Sequence, residues 1–343
     1  MLYPKSKMQS KVQSRKSKEE VEGITKTRPS YLINQRGVLM SYFGFLSPLI
    51  SESTSAFQRL LKILPERWRF YRGPLRTGTI TATLFQRQVQ GWGWKLPYKP
   101  IQVWDDQYRL NLWRKLLTEL ESKKIKVVGL EAGSSFHPPM KLATEPSFPG
   151  ISDGKAIELL FFINRFRRLL QNYGIAPGRT KALIIWEEGN LGLTCARLIA
   201  REIRFLTLIS PNQRLLERAA DIITAETGIV PQIYTELPDD YQGAKVVIKC
   251  GRLTRYHLYR GPRRVIVCEL FPYRPNIANI NLGLPLDILT EVGQLPIYPA
   301  LGEVVLRSCF EINMGHWYGT ELPLERVIKL AFLFKELGLD ISL

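Results

Sequence analysis

Apolar and polar positions change period several times along this chain, and each change predicts an element. Residues 182–186 are five consecutive apolar residues, the pattern of a parallel strand buried on both faces. Glu187, Glu188, Gly189 and Asn190 interrupt the run. Residues 193–200 are apolar and small at helical spacing, with Arg197 and Arg201 turned toward water. Residues 205–209 form a second apolar run. Strand, glycine turn, helix and strand in this order open a dinucleotide-binding unit.

The same reading covers the rest of the chain. Residues 38–46 predict a strand, and residues 79–96 alternate as a strand. A helix is expected over 107–121, with Leu110, Trp113, Leu116, Leu117 and Leu120 on one side, then a buried strand over 125–130. Residues 138–149 are proline-rich and loop-like. Ser152 or Asp153 then caps a long helix over 155–173. After Ser210 a helix with Asn212 as its cap runs to about residue 227. Short strands follow at 231–234, 244–249 and 264–269, then two apolar-striped helices at 302–318 and 323–337.

These elements predict an α/β fold of two domains, the C-terminal one a Rossmann-like doubly wound parallel sheet. A chain of 343 residues exceeds one typical domain. The expected divisions are a basic, disordered tail at 1–38 and an N-terminal α/β substrate-side domain at 39–175. A Rossmann-like dinucleotide-binding domain follows at 176–300, and terminal helices at 301–343 pack across the domains.

Charge adds a second theme. Lys and Arg number 48 against 31 Asp and Glu, a net charge of +17, which attracts polyanions: an acidic carrier protein, an anionic membrane or nucleic acid. Nine of the basic residues and only three acids lie in 1–38. A second cluster, at 54–76, interleaves Arg59, Lys62, Arg67, Arg69, Arg72 and Arg76 with Trp68, Phe70 and Tyr71. Aromatics among arginines stack on bases, lie in a membrane interface, or pack beneath snorkelling charges on an ordinary surface. The cysteines at 195, 250, 268 and 309 and the histidines at 137, 257 and 316 show neither metal spacing nor a disulfide framework. With no run of 18 apolar residues and no signal-peptide core, the expectation is a cytoplasmic protein without a transmembrane segment. Peripheral contact with a membrane stays open to it.

Laid on G-x-G-x-x-G, the turn offers Glu187, Gly189 and Gly192: the second and third glycines are present, and the first is glutamate. Gly189, Asn190, Leu191 and Gly192 are the expected pyrophosphate contacts. No carboxylate follows the second strand to hold a ribose 2′-OH. Ser210 and Arg214 suit a 2′-phosphate, so the expected cofactor is NADP(H). The alternative is no cofactor, because a carboxylate at a helix N-terminus repels a diphosphate or takes its place.

Several short motifs, in order, resemble the long-chain acyl-[acyl-carrier-protein] reductases, a family with wider relatives among predicted amino-acid dehydrogenases. Tyr42-Phe43-Gly44-Phe45-Leu46-Ser47 looks like that family's opening strand. Gly129-Leu130-Glu131-Ala132-Gly133-Ser134-Ser135 resembles its Gly-Leu-Gly-Ala-x-x-Ser loop, and Ser152-Asp153-Gly154-Lys155 its Thr-x-Gly-Asn helix start. Leu306-Arg307-Ser308-Cys309-Phe310-Glu311 is similar to its Phe-Ala-Cys-Phe-Ala-Glu. The resemblance implies an NADPH-dependent reduction of an acyl thioester to an aldehyde, with Cys309 as the nucleophile. Arg307 and Lys335 would then be candidates to lower its pKa. The chain departs from the family where Trp186-Glu187-Glu188-Gly189-Asn190-Leu191-Gly192 replaces Gly-Ala-x-Gly-x-Ile-Gly, and where Glu131 replaces a glycine. Two functions therefore stand side by side: an NADP(H)-linked oxidoreductase of an activated acyl group, and a non-enzymatic Rossmann-derived scaffold binding through its tail and basic surface.

Overall fold

Two sheets organise the chain. The computed structural model describes residues 42–48, 74–96, 106–131, 137–238, 243–251, 253, 265–271, 286–290, 293–294, 298–312, 315–316 and 321–339. The expected tail, and Arg59, Lys62, Arg67, Arg69 and Arg72 of the basic cluster, lie outside the described residues.

The first sheet contains β1 (Tyr42–Pro48), β2 (Leu75–Leu84), β3 (Arg87–Leu96), β4 (Val127–Leu130), β5 (Gly150–Ser152), β11 (Leu286–Thr290) and β12 (Gly293–Gln294). Their order is β12-β11-β2-β3-β1-β4-β5. β3, β1, β4 and β5 run parallel, while β2, β11 and β12 pair antiparallel. Two features were not legible. The single strand expected over 79–96 is a hairpin, turned at Phe85 and Gln86 with φ of 49° and 64°. Two consecutive left-handed residues make a tight hairpin turn, but this pair lacks the Asn or Gly that announces one. Residues 286–290, expected within the second domain, return to pair with β2, and 293–294 pair with them in turn.

The second sheet contains β6 (Lys181–Trp186), β7 (Phe205–Ile209), β8 (Gln232–Tyr234), β9 (Val246–Cys250) and β10 (Ile266–Leu270). It is parallel throughout, in the order β10-β9-β6-β7-β8. The chain winds outward from β6 through β7 to β8, then returns to the other side of β6 for β9 and β10. Direction reverses at the carboxyl ends of β6 and β9, where open α/β sheets place ligands.

Helices α1 (Asp106–Ser122), α2 (Met140–Ala143), α3 (Lys155–Asn172), α4 (Leu191–Ile199), α5 (Gln213–Thr227), α6 (Pro299–Cys309) and α7 (Leu324–Glu336) complete the described elements. The helix expected over 302–318 starts three residues earlier and stops at Cys309, where Glu311 turns left-handed with φ 50°. The expected cap of α3 is corrected to Gly154, which is left-handed. Ser152 Oγ accepts the Gly154 N–H at 3.1 Å instead of capping the helix. Asn212 caps α5 as expected, its Oδ1 accepting the Leu215 N–H at 3.1 Å.

Alternation along the strands divides the core. Ala182, Ile184 and Trp186 face a large interior shared with α3, α4, α6 and α7, while Leu183 and Ile185 face a smaller cluster with Ile209, Ala244 and Val247. Phe43 and Phe45 reach the same large interior, so one core joins both sheets. Leu46, Trp94 and Val128 turn to the opposite face and meet Leu112, Trp113, Leu116 and Leu120 of α1. All of α6 is buried; it lies on β4, β1 and β3 and against α3. No described helix is long and apolar enough to cross a membrane.

Candidate functional site

β6 delivers its last residue, Trp186, to the carboxyl edge of the second sheet, fully buried. Residues 187–190 bend, Gly189 adopting φ 63°, and α4 begins at Leu191. The indole of Trp186 lies on the first turn of α4. A Cβ on Gly192 would fall 2.1 Å from its Cδ2 and 2.2 Å from its Cγ. In a dinucleotide fingerprint that glycine lets helix and strand approach each other; here it makes room for an indole.

Asn190 and Thr194 are also engaged by the chain itself. Asn190 Oδ1 accepts the Leu322 N–H, and Thr194 Oγ1 donates to the Leu322 carbonyl at 2.5 Å. The two side chains grip the backbone of one residue, on both sides of its Cα, just before α7.

Ser210 and Arg214 lie at the end of β7 and in the first turn of α5. Ile185 pairs with Ile209, so these residues stand one strand away from the Gly189 turn. Ser210 is fully buried and Arg214 is exposed. The expected cofactor residues Gly189, Asn190, Leu191, Gly192, Ser210 and Arg214 are thus gathered on one sheet edge. The space they would offer a pyrophosphate is where the departure matters. Glu187 stands at the first glycine position of the fingerprint, and the buried indole of Trp186 beside it packs beneath the first turn of α4.

Cys309 sits elsewhere. It ends α6 at 1% exposure, and its Sγ donates to the Arg87 carbonyl at 3.9 Å. Arg87 Nη1 returns a hydrogen bond to the Cys309 carbonyl at 2.9 Å, and its guanidinium lies 4.6 Å from the Phe310 ring centre. Burial pushes the thiol up to about 12, with the Arg87 charge opposing. The nearby cation is therefore Arg87 on the hairpin, not Arg307 or Lys335. Arg307 Nη2 donates to the Gly315 carbonyl at 2.9 Å, and Lys335 is exposed. A cysteine held this way stays a thiol at neutral pH, whereas attack on a thioester needs a thiolate. Iodoacetamide applied to the folded protein at neutral pH will leave Cys309 unmodified by mass spectrometry; rapid alkylation would restore its candidacy.

Of the basic patch, Arg76 is described and exposed on β2.

Sequence reasoning missed the buried carboxyls. Glu131 follows directly on β4 at 3% exposure, and burial raises its pKa to about 8. Glu158 on α3 is raised to about 7 by burial, and its Oε1 accepts the Phe271 N–H at 3.0 Å, tying α3 to the end of β10. Glu303 on α6 is fully buried and is also raised to about 7, with Arg307 opposing the shift. A glutamate inside an apolar helix with an arginine four residues on was the one available signal. Lys155 Nζ pairs with Asp153 at 2.5 Å beside them.

Five parallel strands wound outward from β6, with a left-handed glycine turn leading into α4, define a Rossmann-like α/β protein. No family model matches the chain, and no curated protein does. Among solved structures, shikimate 5-dehydrogenase from Listeria monocytogenes in complex with shikimate and NAD is similar at 11% identity and TM-score 0.32, over 87% of this chain and 99% of that one. The ligand-free form of 5-ketofructose reductase of Gluconobacter sp. strain CHM43 matches at 11% identity and TM-score 0.32, over 89% and 96%. L-tryptophan dehydrogenase from Nostoc punctiforme matches at 10% and 0.31, over 68% and 64%.

Proposed function

We propose that this protein is a Rossmann-derived binding scaffold whose dinucleotide seat is filled by its own Trp186. The observation that carries this reading is the fully buried indole lying on Gly192. Gly192 is the fingerprint glycine that lets helix and strand close on each other; here an aromatic ring fills that room, packed against the first turn of α4 where the phosphates would otherwise meet the helix. The buried thiol of Cys309 supports the same reading, because it lacks the exposure and the lowered pKa of a nucleophile. A net charge of +17 supplies attraction to acidic partners or anionic surfaces.

One set of observations favours a second reading, an NADP(H)-linked reductase of a carrier-bound acyl group. Gly189 keeps its left-handed turn, and Ser210 and Arg214 lie one strand over, as a 2′-phosphate would require. Under that reading Cys309 is the nucleophile and an acidic carrier protein docks on the basic surface.

Isothermal titration with NADPH, NADP and NADH at low and moderate salt separates the two. The scaffold shows no saturable binding at millimolar cofactor while remaining folded. Glu187→Gly gains none, because the indole still fills the seat, whereas Trp186→Gly opens it and gains NADPH affinity. Saturable NADPH binding by the wild-type protein would sink the proposal.

A further inference from the structure

The opposite edge of the second sheet carries a feature that neither reading uses. At the amino ends of β6 and β7 and ahead of β8, an open groove of about 510 Å³ is lined by Gly178, Arg201, Glu202, Arg204, Glu226 and Ile229 among others. Its two carboxylates are already neutralised. Arg167 donates to Glu202 through Nε at 3.0 Å and Nη2 at 2.6 Å, and Arg197 forks onto both oxygens of Glu226. Arg179, Arg201 and Arg204 are exposed, and none of them forms an ion pair among the described residues. The groove therefore presents two uncompensated guanidinium groups, Arg201 and Arg204, with Arg179 next in the chain to its lining residue Gly178.

An apolar pair borders it. Phe205, next to Arg204, is 55% exposed, and Val230, next to Ile229, is 78% exposed. Thr207 pairs with Gln232 two residues further along, so Phe205 and Val230 stand at the same height on neighbouring chain segments. Guanidinium forks bind carboxylates bidentately, and an exposed apolar pair beside them invites one apolar side chain. A nucleic-acid backbone fits less well, since the carboxylates Glu202 and Glu226 line the same surface.

We propose that this groove docks an acidic peptide segment of a partner protein, its carboxylates on Arg179, Arg201 and Arg204 and an apolar side chain on Phe205 and Val230. The site lies at the sheet edge away from Trp186 and Ser210, so it is independent of whether the dinucleotide seat works.

The test uses the full chain, fluorescence anisotropy at moderate salt, and a labelled peptide of Asp and Glu carrying one central Leu. The wild-type protein binds this peptide and not its Asn/Gln counterpart. R201E/R204E weakens binding at least about tenfold, and R201Q/R204Q weakens it in the same direction. The matched reversal R114E/K115E, on exposed residues of α1, changes it by less than about twofold. Arg201 and Arg204 follow the carboxyl end of α4 and also favour that helix, so the melting midpoint of each variant is read alongside. Phe205→Ser, which changes no charge, must weaken binding too if the apolar contact is made. The proposal is overturned if the wild type does not bind, or if R114E/K115E weakens binding as much as R201E/R204E. It also fails if a single-stranded oligonucleotide displaces the peptide and loses affinity in the same variants.

Discussion

Gly154→Ala will cost the native state about 4 kcal/mol, read from the urea midpoint, because two penalties meet at one atom. Gly154 has φ 77°, a conformation that L residues adopt only under strain. An added Cβ would also fall 2.2 Å from Ala300 N, 2.4 Å from Pro299 C and 2.8 Å from Ala300 Cα. All three are backbone atoms at the start of α6, which is buried along its whole length and has nowhere to retreat. Gly174 is the control. It has φ 60° with nothing within 4 Å of its Cβ position, so Gly174→Ala meets only the conformational penalty, about 1 kcal/mol. Equal midpoints for the two variants would mean that α6 is not seated against Gly154.

Raising the pH from about 6.5 to about 8 will weaken the native state by roughly 3 kcal/mol, through carboxyls that hold their protons in the fold. Burial lifts Glu131 to about 8 and Glu158 and Glu303 to about 7, from an ordinary 4.5. A carboxyl raised in the folded state binds its proton more tightly there than in the unfolded chain. Its contribution is fully present below the unfolded value and is lost as pH climbs through the folded one. His137 and His316 are lowered by burial, so their effect falls below their ordinary 6.5 and leaves the upper window to the glutamates. The urea midpoint should decline steadily across that window. Glu131→Gln, which mimics the protonated side chain, should remove more than half of the slope. A flat profile would show that water reaches these carboxyls.

The strand–turn–helix–strand unit was legible because each of its parts is local. Residues 205–209 were placed without error, and β6 and α4 to within two residues, since an unbroken apolar run and a 3.6-residue stripe each have one economical structure. The gathering of Gly189, Gly192, Ser210 and Arg214 on one edge followed from the same unit. The hairpin at Phe85 and Gln86 was not legible, because neither residue type announces a left-handed turn. The end of α6 was missed because residues beyond Cys309 continue the apolar stripe.

Chain order, element type and an excess of positive charge were thus determined by the sequence alone, each depending on neighbours a few residues apart. Where side chains separated by many residues would meet was decided only by the tertiary structure. It set the indole of Trp186 on Gly192, closed the thiol of Cys309 against Arg87, and buried Glu303 between α3 and the first sheet. It also returned residues 286–290 to β2. Spacing along a chain cannot reveal these outcomes, because burial and contact depend on which surfaces of distant elements exclude water together.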